Sequence, residues 1–341
     1  MRLPLMPPPD NGYGQAMLRL VDSWVWDSWY VADGPLTHAF YLRASRALGD
    51  PERRHHHPLV GHSVSDDLTE WRELPDALCQ AEPGAFDDQG IWTGSAVRGD
   101  DGRWHLFYTG ISHAHLARIQ RIGHAVSDDL VTWTRVSDEP CVSADPRWYR
   151  TFAAFGDEPW RDPWVFRHEG RWRMLITAKS AHASATGPGA EGGAGCIATA
   201  VSDDLFSWTV EEPLARDLGL EQLEVLQTLE VDGQWVCVFC MCDRDVRRPG
   251  LPKVTGTWSM PCDGPAGPFH PERAEPIDVR GNYAGRIVQL PQGGQALMAF
   301  VDVDAQGGFG GMLGNPVPVM LTDRGTLSPV AADGRAEFLG T

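Results

Sequence analysis

Lysine is nearly missing from this chain: Lys179 and Lys253 are its only two, within a total of 29 basic residues. Positive charge is scarce overall beside 46 acidic residues, and the formal net charge is −17. Nucleic-acid binding draws its affinity from a basic surface that neutralises phosphates, so this balance excludes a polyanionic partner. A small neutral ligand such as a carbohydrate fits it better. The choice of arginine over lysine reflects genome composition before function.

Long apolar runs are also missing. No segment approaches the roughly 20 apolar residues of a membrane helix. Met1 to Asn11 carries four prolines and no apolar stretch of signal-peptide length. The expectation is a cytoplasmic chain with no membrane partner; the sequence leaves its oligomeric state open. Seven cysteines make an odd number, and three of them, Cys237, Cys240 and Cys242, share one apolar run. On a strand, neighbours face opposite sides, so only Cys240 and Cys242 of these share a face. A zinc site wants two paired CxxC-type spacings or interleaved histidines, and neither is present. The cysteines read as buried reduced thiols, with no metal or cofactor expected. His55-His56-His57 alternates direction on an extended chain and reads as a polar loop before a strand. Gly187 to Gly195 is glycine-rich but lacks the Lys-Ser/Thr ending and following helix of a phosphate loop, and reads as a flexible loop at a channel rim.

What the chain does contain is repetition. Ser65-Asp66-Asp67-Leu68-Thr69-Glu70-Trp71 recurs as Ser127-Asp128-Asp129-Leu130-Val131-Thr132-Trp133 and as Ser202-Asp203-Asp204-Leu205-Phe206-Ser207-Trp208. A period of this size means stacked supersecondary units. A second string, Asp101-Gly102, Glu169-Gly170 and Asp232-Gly233, falls between alternating apolar runs and signals hairpins. Each unit reads as four antiparallel strands, which is a propeller blade. First strands at Trp24 to Val31, Ile91 to Arg98, Arg161 to Arg167, Leu223 to Glu230 and Tyr283 to Leu290 predict five blades. The predicted fold is an all-β, five-bladed β-propeller forming one domain over 1–341, with no C-terminal β-sandwich. Its blades run roughly over 20–76, 87–140, 158–212, 220–262 and 280–335. A plain β-sandwich would give no reason for turn strings repeated in register.

First strands line the central channel of a propeller, so polar residues there are solvated or gathered at one site. Asp27 lies between Trp26 and Trp29, Asp162 follows Arg161, and Glu224 opens the fourth first strand. Each acid alone would serve equally as an ion-pair partner for an arginine. Three on three channel-facing strands point to a cluster. Glycoside hydrolysis needs two carboxyl groups in different protonation states. Two ionised neighbours disfavour a third negative charge and raise one pKa. Glu224, on the longer side chain, is placed to reach a leaving group, and Asp27 suits an anomeric carbon. Glu221 is a rival for the acid role.

Val25-Trp26-Asp27-Ser28-Trp29 resembles the nucleophile strand of glycoside hydrolase family 68, the levansucrases and inulosucrases. Asp87-Asp88-Gln89-Gly90-Ile91-Trp92-Thr93-Gly94-Ser95-Ala96 and Leu106-Phe107-Tyr108-Thr109-Gly110 resemble family 32, the invertases, levanases and inulinases. Arg161-Asp162-Pro163 is similar to a motif of both. The resemblance implies Asp27 as nucleophile of a covalent fructosyl-enzyme, Asp162 as transition-state stabiliser and Glu224 as general acid and then base. It implies a sugar-binding shell of Trp92, Thr93 and Arg161, with Trp26 as a pocket wall; Tyr283 joins that shell from the fifth first strand. Trp26, Ser28 and Val225 stand where family 32 usually has Asn, Pro and Cys. The expected function is a retaining glycoside hydrolase or transglycosylase acting on β-fructofuranosides. The alternatives are an inverting, family 43-like arabinofuranosidase or xylosidase, and a non-catalytic sugar-binding propeller.

Overall fold

The computed structural model describes residues 18–182 and 193–330. Twenty strands form five sheets of four, each an antiparallel meander in chain order. The first blade is β1 (Ser23–Asp33), β2 (Leu36–Ser45), β3 (Leu59–Ser65) and β4 (Arg72–Leu78). The second is β5 (Gly90–Arg98), β6 (Trp104–Ile111), β7 (Gln120–Ser127) and β8 (Thr134–Arg135). The third is β9 (Trp160–His168), β10 (Arg171–Lys179), β11 (Gly195–Ser202) and β12 (Thr209–Ala215). The fourth is β13 (Glu224–Val231), β14 (Gln234–Met241), β15 (Gly256–Cys262) and β16 (Glu275–Pro276). The fifth is β17 (Asn282–Gln289), β18 (Gln295–Val301), β19 (Val317–Leu321) and β20 (Leu327–Pro329). The boundary at 262 drawn from sequence stops short of β16, because a long connection precedes that two-residue strand. The glycine-rich stretch lies largely outside the described residues. Among the described residues, no helix is long and apolar enough to cross a membrane.

β1, β5, β9, β13 and β17 touch in a closed ring, which makes them the channel walls. Among the described residues, closure exchanges no strand between blades. Instead Leu18 bridges Leu313, and Val25 N donates to Gly311 O at 3.1 Å.

The apolar cores lie between blades, so both faces of the middle strands are covered, and β6 and β11 are buried at every position. Phe107 and Ile122 of the second blade pack with Trp172 and Met174 of the third. Phe239 and Met260 of the fourth pack with Leu175 and Ile197 of the third. Burying each such large side chain is worth about 1.5–3 kcal/mol.

The repeated turn strings prove to be inter-blade fasteners. Asp67 Oδ1 accepts from Thr69 N at 2.7 Å and Glu70 N at 2.8 Å, and Asp129 and Asp204 repeat the pattern. The intervening Leu68, Leu130 and Leu205 adopt left-handed φ of 63°, 63° and 68°. Each is fully buried, so the roughly 1–2 kcal/mol cost of that conformation is offset by apolar burial. The tryptophan ending each string packs on the preceding blade: Trp133 sits edge-on to Phe40, Trp208 edge-on to Phe107, and Trp71 against the cluster that joins Leu68 to Leu290 and Ala296 of the fifth blade.

Candidate active site

Each channel strand carries one extra residue relative to its partner. The register slips between Trp26 and Ser28, between Trp92 and Gly94, between Arg161 and Trp164, between Glu224 and Gln227, and between Tyr283 and Arg286. A bulge bends its strand and re-aims the side chains around it. Two tiers result: Trp26, Trp92, Arg161, Glu224 and Tyr283 precede the bulges, while Asp27, Thr93, Asp162, Val225 and Ala284 sit in them. Asp162, Val225 and Ala284 have φ of 57°, 55° and 50°, a conformation unfavourable for residues with a Cβ. Three of the five channel strands thus carry backbone strain at the bulge. Pro163 sits within the third bulge, where no ladder N–H is required.

The bulges open one axial cavity of about 650 Å³, within the range of small-ligand sites. All eight residues selected from the sequence line it: Asp27, Asp162 and Glu224, with Trp26, Trp92, Thr93, Arg161 and Tyr283. Their connections run from blade to blade. Thr93 donates its hydroxyl to Asp27 Oδ2. Thr109 Oγ1 donates to Thr93 O at 3.0 Å and accepts from Asp162 N at 2.9 Å. Asp162 Oδ2 accepts from Val225 N and from Thr177 Oγ1, each at 3.2 Å. Arg161 Nη2 donates to Glu224 Oε1 at 2.7 Å and to Gln222 Oε1 at 2.7 Å. Tyr283 completes the chain by donating to Glu224 Oε2 at 2.6 Å.

Charge crowding in this buried space is asymmetric. Burial pushes Asp27 up to about 7, with the negative charges of Asp162 and Glu224 adding to the rise and the Thr93 hydroxyl opposing it. Burial likewise raises Asp162 to about 6; Arg161 opposes this, and Glu224 adds to it. Burial and the Glu224 carboxylate hold the Tyr283 phenol well above its ordinary value, so it stays a donor.

Individual roles differ from residue to residue. Trp92 is anchored by its indole N–H, which donates to His55 O at 2.9 Å. Trp26 touches the cavity but is almost wholly buried, with the Arg54 guanidinium 5.8 Å from its ring centre. Glu221 faces away, bound to Lys179 at 2.5 Å and absent from the cavity lining. His55 and His56 line the pocket from a short 3₁₀ turn, Pro51–His56, where sequence suggested an extended polar loop. Cys242 also lines it, 3.7 Å from the Tyr283 hydroxyl; all seven cysteines are free thiols, but only four are buried, and Cys79 is exposed. Thr109, Thr177 and Gln222 were missed, since they read as ordinary polar strand or loop residues. No group of three or more His, Cys, Asp or Glu among the described residues is arranged to hold a metal ion.

Fold and site together define a five-bladed propeller with a carboxylate-lined pocket on its axis. The family model described as "Glycosyl hydrolases family 32 N-terminal domain" matches residues 38–306, and the chain belongs to that family. Asp27 lies ahead of the matched segment. Among curated relatives, Beta-fructofuranosidase 1 of Zea mays is 32% identical over 35% of this chain and 18% of its own length. An insoluble β-fructofuranosidase isoenzyme of Arabidopsis thaliana is 30% identical over 50% of this chain and 28% of its own. The chain thus matches less than a third of the length of these relatives. Among solved structures, an inulosucrase from Halalkalicoccus jeotgali bound to kestose aligns with TM-score 0.74 and 21% identity, covering 94% of this chain and 92% of that one. Bacillus subtilis levansucrase aligns with TM-score 0.70 and 14% identity, covering 98% and 92%. At these identities the likeness establishes the propeller fold.

Proposed function

We propose that this protein cleaves β-fructofuranosyl bonds by a retaining, two-step displacement and passes the fructosyl group to water or to a second sugar. Convergence of Asp27, Asp162 and Glu224 on one buried pocket supports this reading most directly. Membership of family 32, together with relatives named as β-fructofuranosidases, supports fructosides as the substrates. Sucrose, fructo-oligosaccharides and fragments of levan or inulin are the candidates.

In the first step the Asp27 carboxylate attacks the anomeric carbon. The bond to the leaving oxygen breaks with its electron pair, and Glu224 supplies the proton to that oxygen. A covalent ester between Asp27 and the fructosyl group results. In the second step Glu224 takes a proton from water or an acceptor hydroxyl, which attacks the same carbon and frees Asp27. Two inversions give net retention. Asp162, oriented by Val225 N and Thr177, accepts hydrogen bonds from ring hydroxyls as charge develops. Arg161 and Tyr283 hold Glu224 between them.

Incubation with sucrose, levan and inulin fragments should release or transfer fructose, and Asp27→Ala should abolish it. Failure to turn over any fructoside would overturn the proposal.

A further inference from the structure

Arg286 lies on β17 directly after the fifth bulge, 2% exposed, with its guanidinium carbon 5.0 Å from the centre of the Trp164 ring. Its Nη1 donates to Val225 O at 3.2 Å and to Leu226 O at 2.5 Å. Those two carbonyls are the backbone of the fourth bulge. From the same bulge, Val225 N reaches Asp162 and Glu224 projects into the pocket. One guanidinium therefore grips the short segment that positions two of the three carboxylates.

A buried guanidinium is usually matched by a carboxylate, because an uncompensated buried charge is costly. Among the described residues no carboxylate bonds Arg286, and its Nε and Nη2 atoms lack hydrogen-bond partners. The charged and titratable groups around it are Asp27 and Tyr30 from β1, Asp162 from β9 and Cys240 from β14. Glu224 from β13 acts in turn on both aspartates. Burial pulls Arg286 down to about 10, which leaves it cationic at neutral pH. Arg161 occupies an oxygen of Glu224 directly. Arg286 instead exerts its charge on Asp162 without using any carboxylate lone pair, so those lone pairs stay available to a ligand.

We propose that Arg286 is a positioning residue for the catalytic carboxylates: it clamps the fourth bulge through two backbone carbonyls and adds its positive charge to that of Arg161 beside Asp162. The catalytic roles of the three acids rest on the fructosidase reading above; the clamp and the charge do not.

The test compares wild type with Arg286→Met, which removes charge and donors, and Arg286→Lys, which keeps the charge and loses the double grip. Carbon-13 aspartate carboxyl resonances are titrated by NMR, and kcat and KM are measured on a fructoside the wild type turns over. Arg286→Met should move the Asp162 titration upward by about one pH unit. It should lower kcat by about 100-fold with little change in KM, the usual scale for a misplaced catalytic group. Arg286→Lys should lower kcat about tenfold while Asp162 titrates as in wild type. A folded Arg286→Met protein with wild-type kcat or with the wild-type Asp162 titration overturns the proposal. Should that variant fail to fold, wild-type kcat in Arg286→Lys overturns the clamp, and reduced kcat with unmoved titration supports it. A wild type that turns over no fructoside defeats the fructosyl reading, while the carboxyl titration still judges Arg286.

Discussion

Tyr283 donates its hydroxyl to Glu224 Oε2 over 2.6 Å, across the boundary between the fourth and fifth blades. A hydrogen bond to a charged group is worth about 1.5–3 kcal/mol, which corresponds to roughly 10- to 100-fold in rate. Tyr283→Phe should lower kcat by about that factor and lower the thermal transition by a few degrees. Steady-state kinetics and a melting curve on the same preparation check both halves.

Asp27 must be ionised to attack carbon, and its carboxyl sits up at about 7 in the free protein. The profile of kcat/KM against pH should therefore fall on the acid side with a midpoint near 7, since this ratio reports the free enzyme. An acid limb at ordinary carboxylate values would contradict the burial of Asp27 and its crowding by Asp162 and Glu224.

The same shift carries a stability cost. Folding raises the Asp27 pKa above its ordinary value of 3.8, so between about 4 and 7 the native protein holds a proton that the unfolded chain releases. This contribution to stability is present below that window and is lost as pH rises through 7. Asp27→Asn removes the penalty, so the inactive variant should exceed wild type by on the order of 2–4 kcal/mol at pH 8. Urea denaturation at pH 4 and pH 8 tests the sign, with the difference shrinking at the lower pH.

Two buried histidine pairs work in the opposite direction. His38 Nδ1 lies 2.8 Å from His62 Nε2, and His105 Nδ1 lies 2.9 Å from His124 Nε2. Burial, aided by the partner histidine, lowers His62 and His124 to about 3. Their unfolded forms take up a proton near 6.5, so the stability they contribute is present above that value and is lost as pH falls towards 3. Acid unfolding should steepen below pH 6.5, and His124→Leu should flatten the slope measured in urea.

Blade number and strand order were legible because the turn strings serve packing: each Asp-Asp turn places a tryptophan on the preceding blade, and that job recurs in the first three blades. The three acids were legible because charge on a channel-facing strand, beside tryptophan or arginine, is conspicuous. The bulges were not. Asp27, Thr93, Asp162, Val225 and Ala284 share a position but no common residue type, so no pattern of residue types marks it. Arg286 likewise passes for an ordinary polar strand residue until the carbonyls of Val225 and Leu226 are seen against it. His55 and His56 read from sequence as a polar loop, because nothing in the histidine run marks the 3₁₀ turn that Pro51 begins. Glu224 was separable from Glu221 only once Lys179 appeared as the partner of Glu221.

The most direct measurement uses a Glu224→Gln variant incubated with β-fructofuranosyl fluoride, whose fluoride departs without the proton Glu224 supplies while loss of the base slows release of the sugar, and analysed by peptide mass mapping. The account predicts one fructosyl unit esterified to the peptide containing Asp27, absent when Asp27 is also replaced by Asn. No adduct on that peptide, together with anomerically inverted fructose released by the wild type, would contradict it.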